Sequence, residues 1–371
     1  MDLTAAAEAR LQQIAQARVA VMLEGRSLTD TMIEAWFERG WIERSWRRCL
    51  AAGLQPEQRV AFDLVPAQAW RRVEEANHAL VSAARPVLER LTRAIANTRY
   101  FAILTNRHGT VVDAQGPIDR GDPRAYLITR IGVDLSERAV GTTAIGATLG
   151  ELQPVWLHRG EHFFADTSCY SCAGAPVFGP DGQCVGMLDL TGIDAAERPE
   201  LKHLAAQAAR SIENALALAG PHRLVLRLNW PGRLLGDEAD GLVCLDDEGR
   251  VVASNTPARQ MIPMLATGGA PLHASELFAQ PWEPLFDAAR SGRPQAPQEV
   301  PLWSGLRLSV LPQEAGGPGR APSRLPLRDV EIALIQKAVA DARGNVAKAA
   351  QALGISRATV YRKLSQKGKA P

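Results

Sequence analysis

Apolar residues in this chain recur with two different periods, and the changes of period divide it into segments. Between residues 66 and 99, Val73, Ala76, Leu80, Ala84, Val87, Leu88, Leu91 and Ile95 return every three or four positions, which predicts one long amphipathic helix. At Tyr100 the pattern becomes a short apolar run, Tyr100-Phe101-Ala102-Ile103-Leu104-Thr105. The turn Asn106-Arg107-His108-Gly109 and the run Thr110-Val111-Val112-Asp113-Ala114 follow, so two paired strands are expected. A second pair is expected around Gly179-Pro180-Asp181-Gly182, with residues 175–178 before the turn and 183–191 after it. Helical spacing returns over 197–218, and residues 1–40 also read as helical. Strand pairs with intervening helices predict antiparallel sheet packed on helices, the α+β class.

Beyond residue 220 the strand pattern recurs. Gly241-Leu242-Val243-Cys244-Leu245 and Val251-Val252-Ala253-Ser254 flank a turn, and Asn255-Thr256-Pro257-Ala258 opens a helix with proline near its start. Residues 306–310 predict a closing strand, and the Gly- and Pro-rich stretch 312–326 a linker. Past Pro326, apolar residues from Leu327 to Val339 recur mostly at helical spacing until Gly344 stops the helix. Asn345 is suited to cap a second helix over 346–353, Gly354 to supply a positive φ, and Ser356 to cap a third helix over 357–364. Ala349, Ala350, Leu353, Ile355, Val360 and Leu364 form the inward face. A short helix, a glycine-bearing turn and a second helix make an all-α helix-turn-helix over 328–367. Such a unit enters the DNA major groove with the start of its last helix. Candidate DNA-binding residues are therefore Asn345, Ser356, Arg357, Ala358, Thr359, Tyr361, Arg362 and Lys363. Arg reads guanine edges, Thr and Ala touch a thymine methyl, and Lys363 suits phosphate. The plainer reading is a helical bundle with a basic surface.

Charge alone leaves the two even, and the helix-turn-helix pattern decides for the first. The net charge is only +2, yet from residue 320 onward 11 Lys/Arg face 3 Asp/Glu, whereas the rest of the chain holds 31 against 37. A basic end on an acidic body implies a polyanionic partner. A length of 371 residues implies two to four domains. No run of about 18 apolar residues predicts a membrane span, and the start Met1-Asp2-Leu3-Thr4 lacks the layout of a signal peptide. The expected compartment is the cytoplasm, without a membrane partner. The five cysteines are scattered and odd in number, which does not suggest a disulfide framework.

Three features could line a ligand pocket: Gly141-Thr142-Thr143, His158 with Glu161-His162, and Cys169-Tyr170-Ser171-Cys172. Thr142, Thr143 and His162 are the candidates for contact with an effector. Cys169 and Cys172 could form a redox pair with a lowered thiol pKa, could hold a metal together with the histidines, or could simply pack. His162 is equally suited to a structural role. No catalytic residue, resident metal or cofactor is assigned.

The string from Gly344 to Leu364 resembles the factor-for-inversion-stimulation (Fis) type of DNA-binding domain, which implies a homodimer on double-stranded DNA. Residues 41–218 resemble the sensor region of the acetoin catabolism regulator family. The strings that carry the likeness are Ser45-Trp46-Arg47-Arg48-Cys49, Gly132-Val133-Asp134-Leu135-Ser136-Glu137, Gly141-Thr142-Thr143-Ala144-Ile145-Gly146, Glu161-His162-Phe163, Cys172-Ala173-Gly174-Ala175-Pro176-Val177 and Gly186-Met187-Leu188-Asp189-Leu190-Thr191-Gly192. Thr143 stands where that family commonly has Asn, and Cys169 lies outside the pattern. The resemblance implies a GAF domain, an antiparallel sheet with a small-molecule effector on one face. The segment from Gly241 to Met261 resembles the opening of a PAS domain. The expected division is a helical region 1–65, a GAF-like sensor 66–220, a PAS-like α+β domain 221–311, a linker 312–326 and a helix-turn-helix domain 327–371. Relatives with this sensor and this end usually carry an ATPase between them. Its phosphate-cradling Gly-x4-Gly-Lys-Ser/Thr string does not occur in these 371 residues. The expectation is a regulator without ATPase activity, working with RNA polymerase directly or with an ATPase-bearing paralogous regulator. The alternative is a GAF-type thiol-dependent reductase or redox sensor that uses Cys169 and Cys172.

Overall fold

The computed structural model describes residues 3–25, 40–62, 65–266, 271–290, 296–314, 339, 345–352 and 354–365. The chain divides into two units, Met1–Ala315 and Gly316–Pro371.

The first unit contains two five-stranded antiparallel sheets. Strands β1 (Tyr100–Asn106) and β2 (Val111–Gln115) pair around the expected turn, which Asn106 closes by accepting from the amides of His108 at 2.9 Å and Thr110 at 3.1 Å. Three more strands, β3 (Val155–His158), β4 (Tyr170–Phe178) and β5 (Cys184–Ile193), complete the order β2-β1-β5-β4-β3. Because side chains alternate along a strand, each strand feeds two cores. Leu188 and Leu190 of β5 join one core beneath two long helices, α4 (His78–Ala94) and α8 (Leu201–Ala219). Met187 joins the opposite core, together with Phe101 and Ile103 of β1.

That opposite core also takes in the N-terminal helices. Ile14 and Ala17 of α1 (Leu3–Arg18), Val21 of the π-helical turn Val19–Leu23, and Trp41, Ile42 and Trp46 of α2 (Gly40–Ala51) are buried with the sheet residues. The start of the chain therefore shares a core with residues 66–220 rather than packing apart from them.

The expected single helix over 66–99 is two: α3 (Ala67–Ala76) and α4. The break falls at Asn77, whose side-chain amide donates to the carbonyl of Val73 at 2.6 Å and draws the backbone out of helical geometry. The short helices α5 (Pro123–Ile128), α6 (Glu137–Val140) and α7 (Ala144–Glu151) lie between β2 and β3.

The second sheet has the order β8-β7-β6-β10-β9, from β6 (Leu224–Asn229), β7 (Gly241–Leu245), β8 (Val251–Ser254), β9 (Gln298–Pro301) and β10 (Arg307–Glu314). As expected, Asn255 opens a helix, α9 (Thr256–Met261), and accepts from the Ala258 amide at 3.0 Å. With α9, α10 (Ala274–Leu277) and α11 (Glu283–Arg290) cover one face of this sheet. The expected closing strand runs on into the stretch read as linker, where Pro312 pairs with Leu226. Past Val310 the pairing with β9 has ended, and among the described residues no strand pairs with that side of β10, so a residue without an N–H is tolerated. The rest of the expected linker and the helix over 327–339, apart from Val339, lie outside the described residues. The two sheets meet at α8. There the buried Glu213 accepts from the amides of Phe178 at 3.2 Å and Thr256 at 3.3 Å.

The second unit contains α12 (Val346–Ala352) and α13 (Arg357–Ser365). Among the described residues no helix is long and apolar enough to cross a membrane.

Candidate functional site

A cavity opens on the face of the first sheet that carries α7. Strands β1, β4 and β5 form its floor, and α5, the start of α7 and the turn over 162–167 its walls. Its apolar lining includes Phe62, Ile103, Ile128, Leu135, Val140 and Ile145. It has room for about two waters.

The entry to α7 shapes one wall. Gly141 has φ +65, and a Cβ there would lie 2.9 Å from Cβ of Phe163, so only glycine fits the turn. Thr143 then caps α7, its hydroxyl accepting from the Gly146 amide at 3.2 Å, and lines the cavity. Thr142 points elsewhere. It is fully buried, with its hydroxyl 2.7 Å from Oγ of Ser45 and 3.6 Å from Sγ of Cys49. Of the three candidate effector contacts the cavity gathers Thr143 and His162. Thr142 stays out because the Ser45–Cys49 face of α2 occupies its hydroxyl.

The same face accounts for a string singled out in the sequence. Ser45 donates to Glu137 at 2.5 Å, Arg48 pairs with Glu137 and Glu151, and the Trp46 indole donates to the carbonyl of Glu161 at 2.9 Å. Ser45 through Cys49 thus fastens α2 to α6, to α7 and to the segment that carries His162.

His162 is completely buried. Its Nδ1 lies 2.8 Å from the carbonyl oxygen of Arg159, and burial pulls its pKa down to about 4, so the ring is neutral at physiological pH. Arg18 of α1 fixes this segment by donating to the carbonyls of Gly160 at 2.9 Å, His162 at 2.5 Å and Phe163 at 3.0 Å. His158 is hydrogen-bonded to Ser171 at 2.7 Å, stacks on Trp156 and does not line the cavity.

Cys172 lines the cavity and Cys169 does not. All five cysteines are free. Burial pushes the thiol of Cys169 up and that of Cys172 well up, the reverse of the lowering a reactive pair requires. Among the described residues no three His, Cys, Asp or Glu are grouped so as to hold a metal.

The sequence reading missed Asp189 in the floor of the cavity. It is buried to 1% exposure, and the hydroxyl of Thr191 donates to its Oδ2. Burial pushes its carboxyl up to about 7. The signal was present: an acidic residue inside the apolar run from Val185 to Leu190, in register with Met187 on the cavity side.

In the second unit, Asn345 accepts from the amides of Ala347 at 3.1 Å and Lys348 at 3.2 Å, and Ser356 from that of Thr359 at 3.1 Å. Both are helix caps. Gly354 has φ +64 in the turn between the helices. Ala350 and Val360 are buried against Val339, Val346 and Ile355. Arg357, Ala358 and Tyr361 are exposed along α13, while Thr359 is half-buried with its hydroxyl 2.9 Å from that of Ser356. The side chains of Arg362 and Lys363 lie outside the described ones.

Comparison with known proteins agrees with both regions. Residues 41–214 match the family described as MimR, N-terminal domain, and residues 326–366 the family described as Bacterial regulatory protein, Fis family. The Acetoin catabolism regulatory protein of Cupriavidus necator is 31% identical over 287 residues, 73% of this chain and 42% of that protein. The Acetoin dehydrogenase operon transcriptional activator AcoR of Bacillus subtilis is 25% identical over 64% of this chain and 39% of its own length. The chain spans about two fifths of the length of these relatives. The solved E. coli DhaR(N)-DhaL complex contains a chain similar over 74% of this one and 99% of its own, at 16% identity and a TM-score of 0.44.

Proposed function

We propose that this chain, which is similar to the acetoin catabolism regulators and matches the MimR N-terminal and Fis families over parts of its length, is a ligand-responsive transcription regulator that binds double-stranded DNA. In this reading the first sheet, its flanking helices and the N-terminal helices are a GAF-type sensor. The second sheet is a PAS-like domain, and the Fis-type end binds DNA as a homodimer in the cytoplasm. A small-molecule effector occupies the cavity against Thr143 and His162. The chain acts without hydrolysing ATP, through RNA polymerase directly or beside an ATPase-bearing paralogue.

One observation carries the reading. A single chain joins a small cavity lined by buried polar side chains to two capped helices of helix-turn-helix form, the second presenting Arg357, Ala358 and Tyr361 to solvent. The arrangement supports recognition at both ends and needs no reactive thiol, which sets the reductase alternative behind it. Selection of duplexes from a random library by the full chain tests the DNA half. The expected result is enrichment of a site with two similar half-sites about 34–36 Å apart, one helical turn, as a symmetric dimer requires. Retention of random sequence with no enriched site would reduce the basic end to general phosphate attraction.

A further inference from the structure

Where the two sheets of the first unit meet along α8, the contacts are polar, buried and paired. Glu213 is 5% exposed, and each of its oxygens takes an amide from a different side of the joint. Oε1 accepts from Phe178 of β4, at the point where the ladder with β5 shifts register, and Oε2 accepts from Thr256, the first residue of α9. Beside it, Asn214 accepts from the side-chain amide of Asn255 at 2.7 Å. Asn255 in turn caps α9 and accepts from the amide of Leu242 in β7 at 2.8 Å. The turn between β4 and β5 adds a backbone bond, in which the amide of Ser254 in β8 donates to the carbonyl of Pro180 at 3.0 Å. Gly182 of the same turn has φ +83, and a Cβ there would lie 3.3 Å from the buried Arg259 of α9.

We infer that Glu213 and Asn214 are a joint that fastens the second sheet to the hairpin β4–β5, so that a displacement of the first sheet is passed to α9 and the second sheet. The hairpin supplies the lever. Cys172 of β4 and Asp189 of β5 lie in the cavity floor towards one end of it, and Phe178 and Pro180 lie at the other, about 20 Å away along an extended strand. The polar pairs supply the register. Apolar packing would hold two surfaces together without fixing their positions, whereas a carboxylate shared between two amides fixes both. Burying that carboxylate is costly unless its oxygens are satisfied, and here both are. Glutamine at this position would keep the shape but carry one acceptor and one donor. Whichever way it turned, its NH2 would oppose one of the two amides. The joint acts on any displacement of the hairpin, so it does not depend on an effector in the cavity.

Hydrogen exchange of the full chain tests the joint by what crosses it. Ile103 is fully buried in β1, outside the joint. Ile103→Val should speed exchange at the buried β1 amides roughly threefold to tenfold, the scale of a lost methylene in a core. Because the fastened sheets open together, Val243 and Cys244 of β7 should speed up by a similar factor. With Glu213→Gln also present, β1 should respond to Ile103→Val as before, while Val243 and Cys244 no longer follow. Asn214→Ala is a milder variant that removes the bond to Asn255 and leaves Glu213 in place. It should also reduce the response that reaches β7. Val243 and Cys244 unmoved by Ile103→Val alone would overturn the joint. So would a response at these two amides that is as large in Glu213→Gln and in Asn214→Ala as without them.

Discussion

Asp189 and His162 line one cavity, and burial moves their pKa values in opposite directions because it always opposes the charged form. The carboxyl is pushed up to about 7 and the imidazole pulled down to about 4. For Asp189, with a folded pKa above its ordinary 3.8, the contribution to stability is full at low pH and is lost as pH rises through about 7. About three pKa units correspond to a few kcal/mol at most. For His162, folded below its ordinary 6.5, the contribution is full above that value and is lost as pH falls through about 4. Melting temperatures from about pH 4 to 8 should therefore show the advantage of Asp189→Asn over wild type growing with pH and levelling off above about pH 7. A constant difference across the range would mean that Asp189 keeps an ordinary pKa. At the other end of the chain, the exposed Arg357 stands at the first position of α13. If it reads a guanine edge, Arg357→Ala should lose about 1–3 kcal/mol on the selected duplex and much less on random DNA. Equal losses on the two would assign Arg357 to phosphate.

At the scale of elements, the cavity depends on parts distant in sequence. Arg18 on α1 holds the carbonyls of Gly160, His162 and Phe163. Arg18→Met should therefore speed hydrogen exchange at the amides of His162 and Phe163 while leaving β1 and β5 protected. Exchange unchanged at those two amides would show the segment to be self-supporting. In the second unit, Ser356→Ala removes the cap of α13 and should destabilise that helix by about 1 kcal/mol, read as faster exchange over 358–361. Most of this architecture was legible because its signals are local. The β1–β2 turn rests on Asn106, and the caps on Asn345, Ser356 and Asn255. What escaped depends on tertiary context. Strand β3 has only four residues, too few for a period. The break at Asn77 lies within an unbroken apolar rhythm and comes from one side-chain bond to Val73. Thr142 and Thr143 are adjacent and alike in sequence, and only the docking of α2 decides that one faces Ser45 and the other the cavity. Asp189 was visible as a charge in an apolar strand, but only the pairing of β5 between β1 and β4 puts it in the floor of a cavity.

At the scale of the whole molecule, the proposed regulator joins an effector cavity in one unit to DNA binding in the other. A ligand alters DNA affinity only by the difference in its own affinity for two states of the protein, and the coupling is reciprocal. The decisive measurement is the fluorescence anisotropy of the selected duplex titrated with full chain, with and without a small molecule found by thermal-shift screening of the full chain, in wild type and in Asp189→Leu. The expected result is a change in DNA affinity of about fivefold or more in wild type, the lower end of allosteric couplings. No change is expected in the variant, whose ligand-free affinity should match that of wild type. Superimposed wild-type curves, or the same shift in Asp189→Leu, would contradict it.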